Sequence, residues 1–346
     1  MELSLFDYHL PKELIAQFPS GRRDQSRLLA YDRNGGRIDH LKFRRLVSFP
    51  KKGDALVVNN TKVFKARLLG RRKTGGRVET LLVRKAAGRA GEVWEALLKP
   101  SSRLSEGEEV LFGEGDHLLL QADVGGGRWL VHFASGAVRE RIIRRYGHVP
   151  LPPYIARQDR PSDIRRYQTL FAAGDRVGAI AAPTAGFHFT RPILRALEAK
   201  GVRIVELTLH VGPGTFKPIQ CRDIGDHVVD PEMAELSSSS ATVLNRVRAA
   251  GGAVYAVGTT AVRTLESARL VGGRLQPFGG MVDLYIKPGF RFRVVDHLIT
   301  NFHLPQSSLL VLVAAFAGRE QILSVYREAI KQRYRFYSYG DAMLIL

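Results

Sequence analysis

Between about Val63 and His132 the chain changes rhythm, and that change constrains its fold more than any other feature. Arg77–Arg84, Glu92–Lys99, His117–Val124 and Arg128–Phe133 alternate apolar and polar residues, as strands with one buried face do. Gly75-Gly76, the Gly113–Gly115 turn and Gly125–Gly127 separate them. Short strands at near-regular spacing predict a small antiparallel barrel or sandwich, and the barrel is the expectation carried forward.

On either side the rhythm is βα. Asp54–Asn59 (DALVVN) is an apolar run that reads as a buried strand. Thr190 caps a predicted helix with Pro192 in its first turn, ending at Gly201. Val202–Val211 is then a strand, Ser240–Ala250 a helix, Ala253–Val257 a strand, and Gly258-Thr259-Thr260 turns the chain into another helix. The expected fold is therefore α/β: a large α/β domain made of residues 1–67 and 146–346, with a small antiparallel β-barrel domain, 68–145, inserted into it. Val149–Pro153 would be the return linker.

The 346 residues suffice for two domains. Lys+Arg exceed Asp+Glu by 52 − 33 = 19, an excess that favours a polyanionic partner through counterion release. The single cysteine, Cys221, excludes an intrachain disulfide and any multi-cysteine metal site, and no partner base stands beside it in sequence. Met1–Leu10 lacks the basic-then-apolar order of a signal peptide. The longest apolar run, Leu309–Ala317, is far below the roughly 20 residues that span a bilayer. A cytoplasmic, soluble monomer with no membrane association is expected.

Absent motifs narrow the chemistry. No Gly-x-Gly-x-x-Gly follows a strand, and Gly70–Gly76 lacks the Lys-Ser/Thr ending of a phosphate loop. There is no His-Glu-x-x-His, and no metal site is expected. What remains is a set of four segments at predicted strand ends, where α/β folds bind ligands. They are Ala181–Thr190, Leu207–Phe216, Val257–Glu266 and Thr300–Ser307. Three of them carry a histidine: His188, His210 and His303.

With these segments in view, the chain closely resembles the S-adenosylmethionine:tRNA ribosyltransferase-isomerases of queuosine biosynthesis. The matching strings run end to end. They include Phe6-Asp7-Tyr8, Leu14–Gln17, Ser26–Leu29, Asn59–Val63, Ala66–Leu68, Thr74–Gly76, Pro150–Ile155, Tyr167–Thr169, the four segments, Tyr334–Phe336 and Ser338–Met343. Two departures stand out. Asn60 lies where the family usually has Asp, and Asp230 lies where it usually has a second histidine. Neither position is then a strict acid or base.

The resemblance implies a reaction. The ribosyl part of S-adenosylmethionine moves to the aminomethyl group of a 7-deazaguanine at the tRNA wobble position and rearranges to an epoxycyclopentanediol, releasing adenine and methionine. It points to tRNAs with G-U-N anticodons and to no cofactor beyond S-adenosylmethionine as co-substrate. A sulfonium acidifies the adjacent C–H, so a base is needed, and departing adenine needs an acid. The candidates for those roles are His188, His210 and His303, with Glu232 and Asp341 behind them.

Candidate substrate contacts are Lys62, Arg67, Pro183, Thr184, Gly186, Thr208, Gly212, Gly214, Phe216, Gly258, Thr259, Thr260, Arg263, Asn301 and Phe302. The helix start at Gly258–Thr260 is a candidate carboxylate site. For RNA phosphates the basic runs are candidates: Arg22-Arg23, Arg71, Arg72 and Lys73, and Arg141, Arg144 and Arg145 on one face of a predicted helix. Two other readings stay open at this point, a non-catalytic RNA-binding protein and an unusual S-adenosylmethionine-dependent tRNA methyltransferase.

Overall fold

The computed structural model describes residues 1–86 and 91–346; the Phe216 side chain also lies outside the described residues. Two sheets organise the molecule. The larger has nine strands, drawn from both ends of the chain. In chain order its first three strands are β1 (Arg27–Tyr31), β2 (Ile38–Lys42) and β3 (Ala55–Asn59). The smaller sheet follows, with β4 (Arg67–Arg71), β5 (Arg77–Lys85), β6 (Glu92–Lys99), β7 (Glu109–Gly113), β8 (Asp116–Gly125) and β9 (Arg128–Phe133).

The six strands close into a ring. β4 pairs β5, β5 pairs β6, β6 pairs β9, β9 pairs β8 and β8 pairs β7, and the Arg71–Leu111 pairing joins β4 back to β7. At this seam Gly70 is required by space: a Cβ there would lie 2.5 Å from Val110 Cγ1 and 2.9 Å from the Leu111 carbonyl oxygen. Alternation fills the interior. In β9 Trp129, Val131 and Phe133 are buried while their neighbours are not, and Leu68, Val78, Leu82, Leu98, Leu118 and Leu120 meet them. Helix α1 (Gly136–Tyr146), capped by the Ser135 hydroxyl accepting from the Val138 N–H at 3.2 Å, closes one end of the barrel with Ile142.

The chain then rejoins the large sheet. Its remaining strands are β10 (Arg203–Leu209), β11 (Glu232–Leu236), β12 (Val254–Val257), β13 (Phe278–Val282), β14 (His297–Asn301) and β15 (Ala342–Ile345). The order across the sheet is β13-β11-β10-β3-β12-β14-β15-β1-β2. β10, β3, β12 and β14 run parallel. The central β3 (ALVVN) and β12 (VYAV) are nearly continuous apolar runs because both faces are covered. All five residues of β3 and all four of β12 are buried.

One face carries α3 (Ser238–Ala249), α4 (Thr259–Ser267), α5 (Ser308–Ala317) and α6 (Arg319–Lys331). The other carries α2 (Arg191–Ala199). The apolar run at Leu309–Ala317 becomes α5, a helix packed nearly all round. No single described helix is long and apolar enough to cross a membrane.

The expected strands at 54–59 and 202–211 and the helix at 240–250 appear within one or two residues of their sequence limits. β1, β2, β11, β13 and β15 were not among the expected elements, and they form the sheet's two flanks; β14 supplies the strand end expected before Thr300–Ser307.

Candidate active site

The four parallel strands point their carboxyl ends the same way, and the chain leaving them builds a cleft with about 530 Å³ of space between its walls, as expected for open α/β sheets. Val211 comes from the end of β10. Gly258, Thr259 and Thr260 come from the β12–α4 turn, and Thr300, Asn301, Phe302 and His303 from the end of β14. Pro183 and Thr184 cross from the segment before α2, and Tyr154, Tyr337 and Ser338 close the remaining side. Gly258 sits at φ +88°, a conformation that disfavours any side chain. Its N–H is already bonded to the Ile299 carbonyl at 2.7 Å. The first-turn N–H groups of Thr259 and Thr260, which no preceding turn can accept, lie at the cleft wall.

His303 is the one histidine that lines this cleft. Its Nε2 lies 2.8 Å from Thr300 Oγ1, its N–H bonds the Tyr326 hydroxyl at 3.0 Å, and Tyr8 donates to its carbonyl oxygen. Burial pushes its pKa down to about 3, so the ring is neutral at neutral pH. His188 is also buried. Its Nδ1 is 2.7 Å from Ser26 Oγ and its Nε2 3.2 Å from the Asn301 amide, so it stands behind the cleft wall. Burial is the main reason its pKa falls to about 4; Asp341 opposes the shift, and Arg335 and Arg23 reinforce it.

His210 does not line the cleft. Side chains leaving a strand alternate between opposite sides, so Val211 turns toward the cleft and His210 away from it. There Nδ1 meets Thr61 Oγ1 at 2.7 Å. Burial, then Arg176, lowers its pKa.

Asp341 is likewise committed elsewhere. Its two carboxylate oxygens accept the Arg27 and Arg335 N–H groups, both at 2.9 Å. It fixes the C-terminal turn rather than facing the cleft.

A second chamber adjoins the cleft, and the two share Thr215 and Leu309. It contains the fixed charges that the first lacks. Glu232, buried on β11, accepts from Gly212 N–H at 2.7 Å and the Thr215 hydroxyl at 3.2 Å, and is ion-paired with Arg263. Arg263 also donates to the Val282 and Leu284 carbonyls, both at 3.1 Å. The i, i+3 neighbour of Arg263, Glu266, does not pair with it; its carboxylate instead accepts the N–H groups of Arg293, Val294 and Val295 at 2.9–3.0 Å. Gly214 lines the same chamber under Asp230.

Other expected contacts lie outside both chambers. Gly186 packs against Thr169. Lys62 sits on a two-residue strand beside Val177. Arg67 is paired with Glu79 at 2.7 Å in the barrel. Thr208 donates to Asn60 Oδ1 at 2.7 Å. Phe302 lines the cleft but is fully buried in a ring cluster with Tyr326, Tyr334 and Phe336.

The two departures find local partners. The Asn60 amide donates to Glu206 at 3.0 Å, where a carboxylate would be repelled. Asp230 takes Arg128 of the barrel at 2.8 Å and Lys217 at 2.9 Å. Burial works against its ionisation, but these cations outweigh it and its pKa falls.

The barrel cations are mostly neutralised. Arg72 pairs with Glu108, Lys73 with Glu109, Arg141 with Asp116 and Arg145 with Glu114. Arg71 and Arg144 are exposed. Sequence reasoning missed Tyr154, Tyr337 and Ser338 at the cleft. The signal lay in the Tyr334–Met343 string, where Tyr337 adopts φ +73°, a sparsely populated conformation that collects at functional sites.

Similarity covers the whole chain. Residues 3–345 match the family described as "Queuosine biosynthesis protein". An S-adenosylmethionine:tRNA ribosyltransferase-isomerase of Symbiobacterium thermophilum is 48% identical, with both chains fully covered. One from Nitratidesulfovibrio vulgaris is 46% identical over 99% of this chain and 97% of its own. The crystal structure of an S-adenosylmethionine tRNA ribosyltransferase from Thermotoga maritima is 36% identical with a TM-score of 0.56, covering 99% of this chain and all of its own. A ligand cleft at the ends of four parallel strands, a closed barrel between the third strand and the rest, and this end-to-end match agree: the chain belongs to the queuosine biosynthesis protein family.

Proposed function

We propose that this chain is an S-adenosylmethionine:tRNA ribosyltransferase-isomerase. It moves the ribosyl group of S-adenosylmethionine to 7-aminomethyl-7-deazaguanine at the wobble position of G-U-N tRNAs and isomerises it to the epoxycyclopentanediol of epoxyqueuosine. Adenine and methionine leave. The reading includes a cytoplasmic monomer that needs S-adenosylmethionine as co-substrate and no bound cofactor.

The observation that carries the reading, beside the kinship, is the division of charge between the chambers. Among the described residues the main cleft is lined by no Asp, Glu, Lys or Arg, whereas the adjoining chamber holds the Glu232–Arg263 pair. A methionyl group is a zwitterion, and its ammonium and carboxylate complement that pair. The adenosyl part then occupies the uncharged cleft and brings the sulfonium near His303. A neutral imidazole does not repel a sulfonium and is in the form that accepts the acidified 5′ proton, although burial alone makes this one a weak base. In the tautomer whose Nε2–H donates to Thr300 Oγ1, Nδ1 is the nitrogen that accepts that proton. Asn301, held by the Thr184 hydroxyl at 2.9 Å and by His188, is placed to bond a ribosyl oxygen.

The test is product analysis with S-adenosylmethionine and tRNA carrying the 7-aminomethyl-7-deazaguanine. Adenine and methionine are expected in equal amounts, one pair per modified tRNA, and little without the RNA. S-Adenosylhomocysteine in their place would mean a methyltransferase, and RNA binding without turnover would mean a binding protein.

A further inference from the structure

Beside the cleft lies a third, half-open pocket sharing its Ser338 wall. His188 lines it and, through Nε2, reaches Asn301 on the cleft side. Two guanidiniums line it as well, those of Arg23 and Arg166. Arg23 donates to the carbonyls of Phe187 at 3.1 Å, Arg165 at 3.1 Å and Gln168 at 2.7 Å. Arg166 donates to the carbonyls of Gly21 at 3.2 Å and of Ser20.

All these acceptors are neutral. They fix the two planes without balancing their charge, and neither arginine has a carboxylate partner among the described residues. Burial, then the nearness of Arg166, lowers the Arg23 pKa, which marks two like charges held together. The barrel cations, by contrast, are mostly matched with carboxylates. Asp163, the nearby acid, is already taken by Arg157 at 2.7 Å and by the Tyr339 hydroxyl at 2.9 Å.

Phe18, which precedes the cavity-lining Pro19 in the chain, adds an aromatic surface. Phe18 is 47% exposed, and the guanidiniums of Arg157 and Arg160 lie over its ring at 4.6 and 4.8 Å. Held guanidinium forks match the oxygens of a phosphate, and an exposed ring beside cations suits an unstacked base of single-stranded RNA. We propose that the Arg23–Arg166 cavity seats a backbone phosphate of the RNA substrate at a nucleotide flanking the reacting one, with Phe18 stacking on a neighbouring base. This rests on the RNA being the substrate, but not on the course of the reaction.

The experiment pairs protein variants with chemically neutralised phosphates. Anticodon stem-loops bearing the 7-aminomethyl-7-deazaguanine carry one methylphosphonate each, walked through the loop. They are titrated against the wild type, Arg166→Gln, Arg166→Lys and Phe18→Ala. One methylphosphonate position should weaken wild-type binding roughly ten- to a hundredfold, as loss of a charge-assisted contact does, and should weaken Arg166→Gln no further. Arg166→Lys should recover part of the affinity. In Arg166→Gln the log–log salt slope should flatten by about 0.7, one phosphate's worth.

S-Adenosylmethionine binding and the thermal midpoint of each variant report folding. If Arg166→Gln misfolds, the same comparison made on Phe18→Ala must show reduced affinity without a change in salt slope. Equal methylphosphonate effects in wild type and Arg166→Gln, with an unchanged salt slope, would overturn the proposal. So would inorganic phosphate that binds the wild type without displacing the stem-loop. A chain that binds the stem-loop in this pattern yet releases no adenine would overturn the reaction assignment and leave the phosphate site standing.

Discussion

Acid should destabilise this protein well above the carboxylate range, because two histidines are buried uncharged. Burial depresses His188 to about 4 and His303 to about 3 from an ordinary 6.5. The unfolded chain therefore binds more protons than the folded one between roughly pH 4 and 6.5. Stability rises with pH through that window and is flat, for these groups, above it. At pH 5 an unfolded histidine is almost wholly protonated, so each ring weakens folding by about 2 kcal/mol relative to pH 8, and the two together by about 4 kcal/mol. That sum depends on the unfolded value more than on the folded ones, provided both lie below about 4.5. It is a large part of a typical stability of roughly 5–15 kcal/mol.

The assay is urea denaturation of the wild type and His303→Asn at pH 5, 6, 7 and 8. The variant loses stability at every pH by removing the Thr300 contact, but it lacks the titration. The gap between the two should narrow by about 2 kcal/mol from pH 8 to pH 5. A gap that stays constant within about 0.5 kcal/mol would refute the reasoning, since it would mean that His303 is charged or exposed in the folded state.

Further expectations follow from the chambers and their supports. His303→Gln should lower turnover by roughly 10²–10⁴-fold, as removal of a proton-transfer group does, with S-adenosylmethionine still bound; His210→Gln, facing Thr61, should lower it by less than about tenfold. Arg263→Met leaves Glu232 buried without its cation and should destabilise the fold by about 3–5 kcal/mol, read by urea titration; adding Glu232→Gln should recover part of this. Asn60→Asp sets a carboxylate against Glu206 and should cost about 1 kcal/mol, a loss that Glu206→Gln should cancel in a double-mutant cycle.

Much of this architecture was legible in the residues, for physical reasons. Alternation over Arg77–Phe133 and the apolar runs of Ala55–Asn59 and Val254–Val257 reflect one-sided and two-sided burial, and both patterns survive folding directly. β2 (IDHLK) was not, because an edge strand with no fully buried residue leaves no clean period. α5 (SLLVLVAAFA) has no amphipathic stripe because it packs nearly all round.

At the site the strand-end segments marked the cleft, but the facing of a single side chain did not show. His210 and Val211 follow directly on β10, yet His210 meets Thr61 while Val211 lines the cleft. Tyr154, Tyr337 and Ser338 reach the cleft from segments that lie at no predicted strand end. Arg263–Glu232 and Asn60–Glu206 are partners 31 and 146 residues apart, a distance that no sequence window spans.

The most direct test of the central claim follows carbon rather than activity. One preparation of S-adenosylmethionine is labelled in its ribosyl carbons and another in its methyl group, and each is incubated with the protein and tRNA bearing the 7-aminomethyl-7-deazaguanine. The account predicts one equivalent of ribosyl label in the RNA and all methyl label in free methionine. Methyl label in the RNA, with the ribosyl label retained in S-adenosylhomocysteine, would contradict it.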